Sequence, residues 1–338
     1  MRNASWVPDH SIYVHTRIPE MSDKEIRDVV DLVGRKDPDT ISMLERSIAP
    51  LIVREFGSSE IVYDLSAIRY YGTENDLARY GHYYHTNGEN REINFVLAVT
   101  RKGGMLVHHH PLAGSIPSVT TINAFINERR DFGITSILIV MDRGFYSSDN
   151  MRELKDYGVI GAIPSTVSIH DELIIDSKDI ENFSNYFQFE DETVFLKEKR
   201  MRGSRYVVFF SPRLMTRRLE SFYYSLSEKE KKFSYKLRHN AIQRKTNRFG
   251  YTILFTNTNI VARELLRAYR EKDAVEKAFS HLKPHLEPFF SRSEKGTRAR
   301  LFLAILEYTL AAVIASRCGI KYNRVLKTIS GIREVVYS

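Results

Sequence analysis

A short stretch near the C-terminus, residues 268–283, combines one acidic side chain with several cations. Tyr269, Lys272, Glu276 and Lys283 follow one another at intervals of three, four and seven residues. In one α-helix, at about 100° per residue, they would lie within a single broad stripe. This stripe could be a solvated face, in which Glu276 and Lys272 form an ordinary i, i+4 ion pair. It could also be one wall of a site that handles phosphate.

The Glu276 side of this predicted helix is not purely polar. Val275, Phe279 and Leu282 lie close to it at helical spacing. Glu276 is therefore placed at the edge of an apolar face, where a carboxylate could line the floor of a cleft.

Two aspartates lie where core strands are expected. Asp64 interrupts the apolar run "IVYDLSAI", and Asp142 ends the run in "ILIVMDRG". An aspartate among apolar strand residues is costly to bury without a partner, so each needs a charged or hydrogen-bonded neighbour. Structural roles stay open for both: Asp142 could be a turn or capping residue at a strand exit, and Asp64 could lie in a β-bulge or a salt bridge.

Together, Asp64, Asp142 and Glu276 suggest phosphodiester chemistry. Two-metal phosphoryl transfer needs carboxylates that hold Mg²⁺ ions about 4 Å apart, one activating the attacking oxygen and one stabilising the leaving oxygen. Adjacent strand ends and a packed helix could bring three acids together, and lysines on that helix could then meet a phosphate backbone.

The elements that would position these acids follow a recognisable order. Residues 22–56 predict two helices, the first opened by a capping box from Ser22 to Glu25. "IVYDLSAI" predicts a strand, and "RKGG" between two apolar runs predicts a hairpin turn. "ILIVM", "SSDNMRELKDYG" and "VIGAIP" then predict a strand, a capped helix and a strand, with "GYTILFTNT" as one more strand. Strands followed by alternating helices and strands indicate a mixed α/β sheet.

A basic segment with β-type patterning interrupts this order. Residues 165–260 contain the alternating stretches "ETVFLKEKR" and "SRYVVFFSP". Residues 197–248 hold 16 Lys and Arg against 4 Asp and Glu, a local charge of +12, so the rest of a chain of net charge +8 carries −4. Interleaved aromatic residues suit an insertion that tracks DNA. A solvated helix over an aromatic mini-core is the alternative.

Composition narrows the class further. The chain has 338 residues and a pI near 9.3, which favours a polyanionic partner. Its single cysteine, Cys318, excludes an intramolecular disulfide and is expected to be buried. The apolar run at 301–315 contains Glu307 and is shorter than the ~20 residues of a membrane span, so we expect a soluble, intracellular protein without a membrane partner. His108 and His110 would share one strand face, without other metal-ligand clusters nearby.

The spacing of the first stretch resembles a family signature. Tyr269–x2–Lys272–x3–Glu276–x6–Lys283 is similar to the Y-(2)-R-(3)-E-(6)-K pattern of prokaryotic insertion-sequence DDE transposases, in the group named for insertion sequence four. The resemblance extends over roughly residues 60 to 315. It includes "YDLSAIRYYG", "GGMLVHHHPLAGSIPSVTTINAFI", "ILIVMDRGFYSSDNMRELKDYGVIGAIP" and "GYTILFTNT".

This resemblance implies an RNase H-like core with a β-containing insertion between the second aspartate and the glutamate. Asp64, Asp142 and Glu276, separated by 78 and 134 residues, would be the DDE catalytic residues and the ligands of two Mg²⁺ ions, with Mn²⁺ as a substitute. Water would nick an element end, and the freed 3′-OH would attack target DNA.

The resemblance also implies the partners. Double-stranded DNA would be bound by a homodimer in the cytoplasm of a prokaryote. The residues expected to contact DNA are Tyr269, Lys272, Lys283, Arg143, Lys199, Arg200 and Arg202. Lys272 stands where the family has arginine, so it lacks the bidentate fork. Alternatives are an RNase H-like nuclease that does not join strands, an inactive or truncated remnant that only binds DNA, and a basic structural protein.

Four regions are expected along the chain. Residues 1–58 form a short helical N-terminal segment, and residues 59–164 form the first part of the RNase H-like core. Residues 165–260 are the basic insertion, and residues 261–338 complete the core with the signature helix and further helices.

Overall fold

The computed structural model describes residues 22–35, 38–56, 60–72, 74–80, 91–101, 103–116, 121–122, 125, 138–201, 204–233, 239–286 and 293–331. The α-helices are α1 Asp23–Arg35, α2 Pro38–Phe56, α3 Ser148–Glu153, α4 Ser168–Ile175, α5 Pro212–Phe233, α6 His239–Thr246, α7 Ala262–Arg270, α8 Asp273–Leu286, α9 Glu294–Cys318 and α10 Tyr322–Gly331. The strands are β1 Glu60–Tyr70, β2 Arg79–Tyr80, β3 Arg91–Thr100, β4 Leu106–Ala113, β5 Leu138–Met141, β6 Gly158–Ala162, β7 Tyr186–Phe189, β8 Glu192–Met201, β9 Ser204–Phe210 and β10 Tyr251–Thr256.

The chain divides into two compact units. The first unit contains residues 1–137 and 272–338, and the second contains residues 138–271. The N-terminal pair of helices belongs to the first unit and forms as predicted. Ser22 and Glu25 make the expected capping box, because the Glu25 amide donates to Ser22 Oγ while the Ser22 amide donates to Glu25 Oε2 at 2.7 Å. The Ser22 amide and the Ser22 hydroxyl both donate to the Glu25 carboxylate and lower its pKa.

The sheet of the first unit is antiparallel. β3 pairs with β1, β2 and β4. The β3–β4 turn contains Gly103 at φ 83° and Gly104 at φ 62°, a backbone region that glycine adopts readily. The hairpin predicted from "RKGG" is therefore confirmed.

β1 and β3 consist mostly of apolar residues because both of their faces are covered. On one face, the Phe95 ring meets Phe279 of α8 with centroids 5.2 Å apart. On the other, Tyr63 packs against Phe125 at 5.1 Å. Strands buried on both faces lose the alternation of apolar and polar residues.

The second unit carries a mixed sheet. β5 and β6 are parallel and are joined through α3, whose N-cap Ser147 accepts a hydrogen bond from the Asn150 amide. β10 pairs antiparallel with β6 and β9, and β8 pairs antiparallel with β9 and β7. The predicted mixed α/β fold, with a β-containing segment between Asp142 and Glu276, is confirmed.

The signature stretch does not form one helix. α7 ends at Arg270, Glu271 and Lys272 form a turn, and α8 begins at Asp273. The prediction of one continuous stripe from Tyr269 to Lys283 was therefore wrong. The break coincides with the boundary between the two units, since the second unit ends at Glu271 and the first resumes at Lys272.

α9 is longer than its apolar run suggested. It has 25 residues and could cross a membrane by length and composition alone. It packs against α1, α8, α10 and β4, and it buries Phe302, Ile305 and Tyr308. This packing is that of a core helix, and a core helix can be as long and as apolar as a membrane span. Cys318, at the end of α9, is exposed, so the prediction of a buried thiol was wrong: the apolar face of the helix ends one turn earlier, at Ala315.

Candidate active site

Asp64 lies in the middle of β1 and is half-buried. The β1–β3 register places Asp64 opposite Leu97 and Ser66 opposite Phe95. Directly opposed residues and their second neighbours share one face of a sheet, so Asp64 and Phe95 project from the same face. Because Phe95 contacts Phe279 of α8, this is the face on which α8 packs.

Two contacts bracket Glu276 along α8. Near the start of the helix, a Cβ placed on Gly104 would lie 3.7 Å from the Ala274 carbonyl oxygen. Further along, Phe279 lies against Phe95. α8 therefore runs from the β3–β4 hairpin toward the centre of β3, with Glu276 between these two anchors.

The β1–β3 register places Asp64 between the same two points, the β3–β4 hairpin and Phe95. Thr100, beside the hairpin, pairs with Ile61, whereas Phe95 pairs with Ser66. Asp64 lies between Ile61 and Ser66. The first unit thus brings Asp64 and the backbone of Glu276 to one region, although they are 212 residues apart in sequence.

The Glu276 side chain is 52% exposed and forms an ion pair with Lys272, in which Lys272 Nζ lies 2.5 Å from Glu276 Oε1. Lys272 is the less exposed partner, at 18%. Val275, Phe279 and Leu282 are buried, as the spacing predicted. Glu276 therefore sits at the margin of an apolar face with a cation held against it.

Asp142 directly follows β5, as predicted. Its backbone is extended, and its carbonyl accepts the Phe145 amide at 3.1 Å to begin a short 3₁₀ turn, Arg143–Phe145. The Asp142 carboxylate makes no capping hydrogen bond to this turn. A capping role does not explain its position.

The carboxylate of Asp142 instead meets the signature tyrosine. The Tyr269 hydroxyl donates to Asp142 Oδ1 at 3.0 Å. Tyr269 is 9% exposed, and α7 holds it through its buried neighbours Leu265, Leu266 and Ala268. A hydrogen bond from a buried hydroxyl holds the carboxylate in one orientation.

Three arginines of the second unit lie close enough together to repel one another. Burial lowers the pKa of Arg218, and the charges of Arg143 and Arg217 lower it further, whereas Tyr269 opposes this. Arg218 donates to the Tyr251 carbonyl at 3.5 Å. A concentration of guanidinium groups beside the Tyr269–Asp142 pair is a natural place for a phosphate, since a bound anion would relieve the repulsion.

The other predicted DNA contacts differ in their surroundings. Lys283 is half-buried on α8, and Arg200 is exposed on β8. Lys199 forms an ion pair with Asp176, so it would have to leave that carboxylate to bind DNA. Arg202 lies outside the described residues.

The predicted histidine run belongs to β4. His108 and His109 are buried, and the His108 and His110 rings stack at 6.5 Å on one strand face. His108 also packs 5.5 Å from Phe125. These contacts give the histidines a packing role in the first unit.

The donor set is chemically suited to Mg²⁺, which prefers carboxylate oxygens. Asp64 and Glu276 share one region of the first unit, and Asp142 is oriented by Tyr269. Among the residues that the structure describes, no three His, Cys, Asp or Glu side chains form a group ready to hold a metal ion. At Glu276, a metal would also have to displace Lys272.

Sequence reasoning did not single out Arg217, Arg218 or Glu192 as functional residues. The arginines form a dipeptide within a basic stretch whose net charge does not distinguish them from its other cations. A helical reading of 212–233 would place Arg218 on the inner side of α5 and could have separated it from its exposed neighbour. Glu192, which binds Arg270, gave no signal because its partner is 78 residues away.

Comparisons with known proteins give little information. No family model matches this sequence, and no curated protein does so either. A similar solved structure is a piggyBac transposase in a synaptic complex with hairpin DNA, determined by cryo-electron microscopy. The similarity covers 97% of this chain and 68% of that chain, with a TM-score of 0.47 and 10% identity. At this identity, no residue of this chain takes a role from that structure.

Proposed function

We propose that this chain is a DNA transposase that cuts and joins DNA strands with a metal-dependent DDE triad. One observation carries the proposal: Tyr269, the first residue of the signature spacing, donates its hydroxyl to Asp142, the second predicted acid. These residues are 127 positions apart. A hydrogen bond between residues so far apart in sequence supports a common site.

Asp64, Asp142 and Glu276 would hold the Mg²⁺ ions. When bound, the ions would activate the attacking oxygen and stabilise the leaving oxygen of a phosphodiester. Tyr269 would keep the Asp142 carboxylate oriented. Lys272 would leave the Glu276 carboxylate and bind a DNA phosphate instead.

Further cations would hold the DNA. Arg143, Arg217 and Arg218 lie beside the Tyr269–Asp142 pair and would bind backbone phosphates, with Lys283 doing so from α8. Such contacts position the duplex without reading its sequence. The substrates would be element ends and target DNA, paired by two copies of the chain in a prokaryotic cytoplasm.

Nicking and joining assays test this function. The probes are a supercoiled plasmid and a duplex with a free 3′-OH, taken from the DNA that flanks the coding sequence, in Mg²⁺, Mn²⁺ or EDTA. We expect metal-dependent nicking and insertion of the duplex into the plasmid. Asp142→Asn is the matched variant, because its amide oxygen can still accept from Tyr269 while the charge is lost. Nicking in EDTA, or an equally active Asp142→Asn, would overturn the proposal.

A DNA-binding remnant is the second candidate. The Lys272–Glu276 ion pair favours it, since an inactive copy would keep such a pair without need of metal. It predicts salt-dependent DNA binding that Asp142→Asn leaves unchanged, and no metal-dependent nicking. An RNase H-like nuclease would nick the plasmid but leave the 3′-OH duplex unjoined.

A further inference from the structure

The start of β8 carries an acid that binds the end of α7. Glu192 Oε2 accepts from Arg270 Nη2 at 2.7 Å, and Oε1 accepts from the Ser211 hydroxyl. The Glu192 side chain is 14% exposed. A carboxylate so far withdrawn from water needs both partners.

Arg270 also packs against an aromatic ring of the same hairpin. Its guanidinium lies over Phe189 of β7, 4.7 Å from the ring centroid. Two turns earlier on α7, the Arg263 guanidinium lies over the Phe187 ring, 5.6 Å from its centroid. Residues seven apart share a helix face and residues two apart share a strand face, so the two pairs form parallel contacts between α7 and β7.

α7 is therefore fixed on two sides. Arg263 and Arg270 attach it to the β7–β8 hairpin, and Tyr269, next to Arg270, attaches it to Asp142. We propose that the Glu192–Arg270 contact is a positioning device through which the inserted hairpin holds the Tyr269 hydroxyl on the Asp142 carboxylate. Its consequence for DNA cleavage rests on the proposed function.

This inference gives Arg270 a role different from that of a DNA ligand. Its guanidinium is already bound by a half-buried carboxylate and stacked on an aromatic ring, so binding a phosphate would require both contacts to break. Arg267, on the same helix, pairs instead with Glu264 one turn earlier. Arg267 is thus a matched control that carries the same charge without reaching the hairpin.

The test measures the NMR signal of the Tyr269 ring carbon that bears the hydroxyl, in the full chain without metal or DNA. The protein is labelled with ¹³C at tyrosine Cζ, and the Tyr269 resonance is assigned with Tyr269→Phe. Asp142→Ala gives the position of this resonance without the hydrogen bond. Arg270→Gln and Glu192→Gln each remove one partner of the contact, and Arg267→Gln is the control. Thermal unfolding confirms that each variant is folded.

We expect Arg270→Gln and Glu192→Gln to move the Tyr269 resonance most of the way to its position in Asp142→Ala, and Arg267→Gln to leave it in place. Metal-dependent nicking should fall about tenfold or more in the first two variants only. An unmoved resonance in folded Arg270→Gln, or an equal shift in Arg267→Gln, would overturn the inference. If the resonance moves as expected but the wild-type chain does not nick DNA, the positioning role holds and the proposed function fails.

Discussion

The Tyr269 hydroxyl lies 3.0 Å from Asp142 Oδ1, and this hydrogen bond joins the end of α7 to the exit of β5 across 127 residues of sequence. The contact gives the phenol at position 269 a specific partner, the carboxylate of Asp142. A phenol inserted among buried side chains can orient a carboxylate, whereas a lysine at the same position would neutralise the charge that a metal needs.

Replacing Tyr269 with phenylalanine removes only that hydroxyl. We expect metal-dependent nicking to fall about tenfold, because a residue that orients a metal ligand typically contributes a factor of this size. The free energy of unfolding should fall by about 1 kcal/mol, the usual net contribution of one hydrogen bond. Initial nicking rates and denaturant unfolding measure the two effects. Tyr223→Phe, at an exposed position on α5, is the control, and equal losses in both variants would contradict the role of Tyr269.

Lys272→Met removes the cation that occupies Glu276. Mn²⁺ affinity should rise about twofold, since an i, i+4 pair of this exposure is worth roughly 0.3–0.5 kcal/mol. DNA affinity should fall at the same time, and the salt slope of binding should decrease by about 1. Lys277→Met is the matched control, because Lys277 forms the same type of pair with Asp273 on α8. Unchanged DNA binding by Lys272→Met would remove Lys272 from the interface.

Arg218→Gln tests the arginine group beside Tyr269. DNA affinity should fall and its salt slope should decrease by about 1, the value for one lost phosphate contact. Stability should stay level or rise, because a half-buried guanidinium next to Arg143 and Arg217 is repelled by like charges. Fluorescence anisotropy across a salt series and thermal unfolding measure these changes. Arg152→Gln, an exposed arginine paired with Asp149, should leave the salt slope unchanged. A salt slope in Arg218→Gln equal to that of wild type would exclude the contact.

The Glu192–Arg270 contact should also depend on pH. Burial raises the pKa of Glu192, but hydrogen bonds from Ser211 and Arg270 outweigh it, so its pKa lies below the ordinary 4.5. A lowered folded-state pKa means that the contact stabilises the fold above about pH 4.5 and that this stabilisation is lost as the pH falls through the folded-state value.

Arg270→Gln should therefore lower the free energy of unfolding by about 1–2 kcal/mol at pH 7 and by much less below the folded-state pKa of Glu192. Urea unfolding of both proteins across this pH range gives the difference. Arg267→Gln, which breaks a more exposed pair, should lose about 0.5 kcal/mol or less at pH 7. A pH-independent loss in Arg270→Gln would show that the charge of Glu192 does not stabilise this contact.

The sequence predicted features that depend on local chemistry. Gly103 and Gly104 identified the β3–β4 hairpin because their positive φ angles are accessible to glycine. Ser22 and Glu25 identified a helix start, and Asp142 was correctly placed at the end of β5. Each of these signals lies within a few residues of the structure that it determines.

Contacts between distant residues could not be predicted in this way. The turn at Glu271–Lys272 contains neither glycine nor proline, and Asp273, an acid suited to the first turn of a helix, was its only local signal. The placement of Asp64 beneath α8 follows from the β1–β3 register and from the packing of Phe95 on Phe279. The Glu192–Arg270 pair likewise depends on how β8 and α7 meet, which neither segment encodes alone.

The most direct test of the central claim is a Mn²⁺ titration of the full chain, followed by electron paramagnetic resonance, for the wild type and for Asp64→Asn, Asp142→Asn and Glu276→Gln. A two-metal DDE site predicts about two bound ions in the wild type and a weaker affinity in each variant. Wild-type affinity in all three variants, or no Mn²⁺ binding by the wild type with DNA present, would contradict a catalytic triad of Asp64, Asp142 and Glu276.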